Sequence, residues 1–174
     1  LAHAMDQLLS WRMQLVLLAN GEREAEHYFA TLASRHPDRF RAWLRFDAAL
    51  SHRLYAGADF VLVPSRFEPC GLTQLYGLRY GALPVVRATG GLVDTVQCYE
   101  EKTGEGTGFA FRDLTPDALA NTIGWALSTY YNRPAHFEAM RRRALRQDFS
   151  WGRAAAAYDE LYREAYRRRR GHSL

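Results

Sequence analysis

The stretch "DFVLVPSRFEPCGLTQLYG", residues 59–77, decides the fold. An apolar run over 60–64 stops at Pro64, then come a carboxylate, Glu68, a Pro-Cys-Gly turn, and a helical pattern from Leu72. A short apolar run bounded by turn residues reads as a buried strand, and the 3.6-residue repeat after it as a helix. Working outward, the same alternation recurs. Strands are predicted at 14–19, 41–46, 60–64, 83–88 and 109–111. Helices are predicted at 22–35, 50–58, 71–81 (closing at Gly81) and 92–99, with a polar, Gly-rich loop at 100–108. Thr115 and Pro116 open a further helix as cap and first residue. Two more helices follow, separated near Pro134 and at 148–150.

Strands apolar on both faces that alternate with helices imply a parallel sheet covered on both sides. Right-handed crossovers then give a doubly wound α/β fold, whose ligands bind at the carboxyl ends of the strands. At 174 residues, 48% of them hydrophobic, the chain suits one core, so one domain is expected over 1–174 with 150–170 as its C-terminal helix. No apolar run approaches the ~20 residues a bilayer crossing needs, so no membrane partner is expected. The first residues carry no signal-peptide pattern and read as the middle of an amphipathic helix, which suggests a piece of a longer chain. Cys70 and Cys98 have neither metal nor disulfide spacing, which fits a reducing, cytoplasmic setting. The net charge of +4 is concentrated in "RRRALR" and "RRRRGH". Cations suit helix C-termini, and this solvated-end reading is preferred over nucleic-acid binding, for which no motif is present.

Two strand-to-helix corners carry the chemistry: residues 65–73, and "RATGGLVDT", residues 87–95. Free amides and the helix dipole at such corners attract anions. Thr73 adds a hydroxyl in the first turn. Glu68 has no like charge beside it and can accept hydrogen bonds from ligand hydroxyls. Phosphate on the amides and a polyol on the carboxylate describe a nucleotide-sugar. The plainer alternative is that Glu68 only caps the helix and Gly71 only permits a turn.

The residues also carry a resemblance. "PSRFEPCGLTQLYGLRYGALPVVRATGGLVDTV", residues 64–96, resembles the signature of bacterial glycogen synthases and plant starch synthases. "DFSWGRAAAAYDELYREA", residues 148–165, is similar to that family's C-terminal helix, and "SHRLYAGADFVLVP" and "LVLLANGE" fit in order. The resemblance implies the C-terminal half of a GT-B fold, two Rossmann-like domains across a cleft, with this chain truncated at its N-terminal edge. It implies a retaining glycosyltransferase that moves glucose from ADP-glucose or UDP-glucose to the non-reducing end of an α-1,4-glucan, with neither metal nor cofactor. Cationic side chains would stabilise the leaving diphosphate.

Carried over by position, Glu68 is the candidate catalytic residue and holds the glucose hydroxyls. Cys70 and Gly71 line the sugar pocket, Leu72 and Thr73 contact the diphosphate, and Phe46 stacks on the nucleobase. Tyr76, Thr89, Gly90 and Gly91 are cleft candidates. Many relatives of this fold place a second carboxylate, for ribose, where this chain has Tyr76. The family's opening strand, with its phosphate-clasping Arg and Lys, is absent from these residues, as is the acceptor-binding N-terminal domain. The resemblance therefore implies an unfilled sheet edge and no transferase activity from these residues alone.

Other residues have plainer readings. Cys70 lacks a partnered histidine and is not read as a nucleophile. His52 is read as a surface or packing residue. Trp125, Trp151, Tyr130 and Tyr131 are read as core or interdomain packing, Cys98 as a buried or partly buried thiol, and Asp113, Asp117 and Asp94 as helix-start residues. Glu100 and Glu101 have no evident partner. Two other functions remain open: a different GT-B hexosyltransferase, or a non-catalytic nucleotide- or glucan-binding module.

Overall fold

A computed structural model describes residues 1–170, except the side chain of residue 153; the last four residues of the expected domain lie outside it. A 3-10 turn, Ala2–Ala4, leads into α1 (Met5–Ser10), and the chain then alternates: β1 (Leu15–Leu18), α2 (Arg23–Arg35), β2 (Phe40–Trp43), α3 (Ala48–Gly57), β3 (Phe60–Val63), α4 (Thr73–Tyr80), β4 (Leu83–Arg87), α5 (Gly91–Thr95) and β5 (Phe109–Phe111). Three helices end it: α6 (Pro116–Asn132), α7 (Pro134–Arg146) and α8 (Trp151–Arg170). Local chemistry sets the boundaries. The Asp47 carboxylate accepts from the Leu50 amide at 2.8 Å and starts α3, and the Thr115 hydroxyl accepts from Ala118 at 3.1 Å and starts α6. α4 stops at Gly81.

All strand pairing is parallel, but the expected single sheet is divided. β1 pairs with β2, β3 with β4 and β4 with β5, and no ladder joins β1 to β3. Between those two strands lies a slot of about 970 Å³. It is lined by β1 and β3 along their lengths, by Ser51 and Leu54 of α3, and by Ile123, Ala126 and Tyr130 of α6. At one end it reaches Pro64 and Thr73. The slot leaves one edge of β1 and one edge of β3 without a strand neighbour.

Helices cover both faces of the larger sheet, as the doubly wound reading requires. Side chains alternate along a strand. Leu62, Val85, Phe109 and Phe111 join a core with α1, α6 and α7, containing Met5, Leu8, Ile123, Phe137 and Met140. Val61, Val63, Val86 and Ala110 join a second cluster, with Leu92 and Val96, on the opposite face.

Several expectations need correction. β2 ends at Trp43, so Phe46 lies beyond it in the loop before α3. α5 ends at Thr95 because the chain turns extended at Val96 and bridges at Cys98 to Gly108. That leaves the Cys98 thiol exposed rather than buried. Asp113 precedes the cap instead of starting α6: its carbonyl accepts from the Thr115 amide at 2.8 Å. Asp117 and Asp94 do lie in first turns. Of the four aromatics read as core or interdomain packing, Trp125 and Tyr130 pack on the core, whereas Tyr131, 44% exposed, and Trp151, 82% exposed, lie outside it. Two arginines of "RRRALR" clamp the protein rather than meeting solvent alone. Arg141 donates to the Gly81 carbonyl, and Arg143 donates to the carbonyls of Gly104 and Gly106 and pairs with Glu105. Glu101 pairs with Arg133, which supplies the partner its sequence context did not reveal.

Candidate functional site

β3 and β4 are adjacent and parallel, so the two Gly-rich corners leave the sheet side by side at the carboxyl ends of the strands. The corners interlock. The Gly91 amide donates to the Glu68 carbonyl at 3.1 Å. A Cβ at Gly90, where φ is +48°, would lie 2.0 Å from that same carbonyl oxygen. A Cβ at Gly91 would lie 2.7 Å from Cys70 Cα. Glycine is required at both positions so that one corner's backbone can lie against the other's.

Within the first corner, Glu68 is half-buried and its Oε2 lies 3.4 Å from the Ser65 hydroxyl. Gly71 adopts φ +76° and turns the chain into α4. α4 has no side-chain cap among the described residues, so its first-turn N–H groups lack that partner. Thr73 is half-buried in that turn, beside an exposed Leu72. The Cys70 thiol is exposed, and its sulfur lies 3.7 Å from the Gly71 carbonyl oxygen. The corner thus brings together a carboxylate, a thiol, a hydroxyl and a helix N-terminus.

The remaining candidates are distributed around it. Thr89 forms the second corner's turn, its amide donating to Arg87 at 2.9 Å and its carbonyl accepting from Leu92 at 3.2 Å. Phe46 is 85% exposed, with its ring face open. Tyr76 turns its ring toward α3, with centroids 5.6 Å from His52 and 5.7 Å from Tyr55. His52 packs in that aromatic cluster, and its Nδ1 lies 3.2 Å from the Tyr80 hydroxyl. No group of three or more His, Cys, Asp or Glu side chains among the described residues is arranged to hold a metal ion.

Three contributors escaped the sequence reading. Gln74 is fully buried beneath both corners, its amide nitrogen 2.8 Å from the carbonyls of Cys70 and Gly71. Arg87 donates to the carbonyls of Arg66 at 2.7 Å and Arg112 at 3.1 Å, tying together the loops after β3 and β5. Phe67, 76% exposed, presents a second open ring next to Glu68. A glutamine in a helix and an arginine closing a strand look like surface residues in sequence. The Phe67 signal was an aromatic between turn residues.

Comparison with known proteins places this geometry. No family model matches the chain. It is 46% identical over 171 residues to glycogen synthase 1 of Geobacter metallireducens, covering 98% of this chain and 34% of the relative. It is 50% identical over 160 residues to a glycogen synthase of Anaeromyxobacter sp., covering 92% of this chain and 33% of the relative. Among solved structures, the catalytic domain of starch synthase IV from Arabidopsis thaliana, bound to ADP and acarbose, matches with a TM-score of 0.83 and 34% identity, over 92% of this chain and 34% of that one. The chain spans about a third of the length of the curated relatives it matches.

Proposed function

We propose that this chain, homologous over almost its whole length to glycogen synthases, is the nucleotide-sugar-binding domain of a glycogen or starch synthase of GT-B architecture. The full-length protein would be a cytoplasmic glycosyltransferase that transfers glucose from ADP-glucose or UDP-glucose to the non-reducing end of an α-1,4-glucan with retention, using no metal ion. One observation supports the reading: the two corners lock together through the Glu68 backbone carbonyl, and the first of them runs from that carboxylate-bearing residue into an α4 N-terminus with no side-chain cap. The ADP held by the Arabidopsis domain is the kind of ligand this arrangement suits.

The roles follow from the chemistry. The amides at Leu72 and Thr73, with the Thr73 hydroxyl and the α4 dipole, would bind the diphosphate and stabilise the charge it gains as its bond to the sugar breaks. Glu68 would accept hydrogen bonds from the glucose hydroxyls and fix the anomeric carbon toward the acceptor. Cys70 and Gly71 would form the wall of that sugar pocket. Phe46 would offer its ring to the base, with Tyr76, Thr89, Gly90 and Gly91 shaping the cleft. The slot between β1 and β3 would take a further strand of a longer protein, and an N-terminal GT-B domain would bring the glucan.

Calorimetry with ADP, ADP-glucose and UDP-glucose tests the reading. Glu68→Ala is expected to abolish the extra affinity ADP-glucose has over ADP, a loss of about tenfold or more, while leaving ADP affinity unchanged. Thr73→Ala and Phe46→Ala are expected to weaken all three ligands. Equal loss of ADP and ADP-glucose in Glu68→Ala would remove the carboxylate from the sugar site.

A further inference from the structure

We propose that Gln74 is the positioning residue that aims the Leu72 amide at the diphosphate and ties the two Gly-rich corners into one unit; the ligand part of this inference rests on the function proposed above. The Gln74 side chain is fully buried. Its amide nitrogen lies 2.8 Å from the carbonyl oxygens of both Cys70 and Gly71, and 3.2 Å from the Thr95 hydroxyl oxygen. The Thr95 hydroxyl in turn donates to the Gly91 carbonyl at 2.7 Å. One buried amide therefore reaches the backbone of the first corner directly and that of the second through a single hydroxyl.

The consequence for the ligand side follows from peptide geometry. Every peptide bond among the described residues is trans. In a planar trans peptide, the C=O of one residue and the N–H of the next point in opposite directions. By drawing the Cys70 and Gly71 carbonyls inward, Gln74 turns the N–H groups of Gly71 and Leu72 outward. Without it those two peptide planes could rotate and present carbonyl oxygens, which repel an anion. Gln74 thus chooses the sign of the partial charge that the corner offers.

Two details show that the side chain has little freedom to do otherwise. A Cβ at Gly71 would lie 2.4 Å from Gln74 Oε1, so the left-handed turn and the buried amide each require the other. That Oε1 is buried without a hydrogen-bond partner among the described residues. An unpaired buried acceptor costs stability, and such groups persist where they serve a site. Leucine or methionine would fill the space without that cost, but neither has a donor to hold the two carbonyls.

Gln74→Met is the test, since methionine keeps the chain length and packing but cannot donate. In this chain the substitution is expected to weaken ADP at least about tenfold while leaving adenosine affinity unchanged, because only the diphosphate uses the turned Leu72 amide. Hydrogen exchange at the Gly91 amide, which bonds to Glu68, is expected to accelerate by about the same factor, with exchange in β4 unchanged. A general loss of structure would instead weaken adenosine and speed exchange everywhere. Thr95→Val, which removes only the link to the second corner, is expected to speed Gly91 exchange and serves if the methionine variant does not fold. ADP binding and Gly91 exchange that are both unaltered in a folded Gln74→Met protein would overturn the proposal. If the parent chain itself fails to bind ADP, the nucleotide reading falls, and Gly91 exchange still decides whether Gln74 couples the corners.

Discussion

At the scale of single residues, the site depends on where a side chain cannot be. Gly90→Ala would force a methyl group to within 2.0 Å of the Glu68 carbonyl at a φ of +48°. The expected cost is about 2–4 kcal/mol, read as a lowered unfolding midpoint. Gly57 is the contrast: it ends α3 with nothing within 4 Å of an added Cβ, so Gly57→Ala is expected to be neutral or to stabilise by up to about 1 kcal/mol. Equal effects at the two positions would remove the steric argument. The special backbone of Gly71, Gly90 and Gly91 was foreshadowed by glycines standing at strand-to-helix corners. Gln74 was not. Its burial comes from residues 70–71 and 91–95 closing over it, an event between two segments about 20 positions apart that no local pattern records.

At the scale of elements, caps and turns were read well and burial less well. Thr115 and Pro116 fixed the start of α6 because their chemistry is local. The end of α5 was missed because it depends on a bridge from Cys98 to Gly108 across a loop. α8 shows a different limit. Its sequence has an amphipathic period, yet Trp151, Tyr158, Leu161 and Tyr162 are all more than half exposed. The ion pairs of Arg163 with Asp159, and of Arg167 and Arg168 with Glu164, lie within the helix. No described side chain of α8 is buried, so ending the chain after Gln147 is expected to shift the thermal midpoint of this chain by no more than about 2 °C. A large drop, measured by calorimetry, would show that α8 contributes to the core.

At the scale of the whole molecule, the fold class followed from the alternation of apolar runs and helices, but neither the strand order nor the division of the sheet did. Composition could not show it, because β1 and β3 are each ordinary apolar strands. The amides of β1 and β3 that point into the slot are expected to exchange with solvent far faster than those of Val85 and Val86 in β4, which has neighbours on both sides. Uniform protection across these strands, measured by mass spectrometry, would mean that the two sheets close on each other in solution. The slot also has a mechanical meaning. With no backbone ladder crossing it, the protein is two stiff plates fastened by side-chain packing and by the single chain path through α3. A scissoring of β1–β2 against β3–β5 would break no backbone ladder, and Pro64 and Thr73 line the slot it would open. Whatever wedges the plates apart or clamps them shut would also change the width of the mouth at Pro64 and Thr73, where the turn into α4 begins.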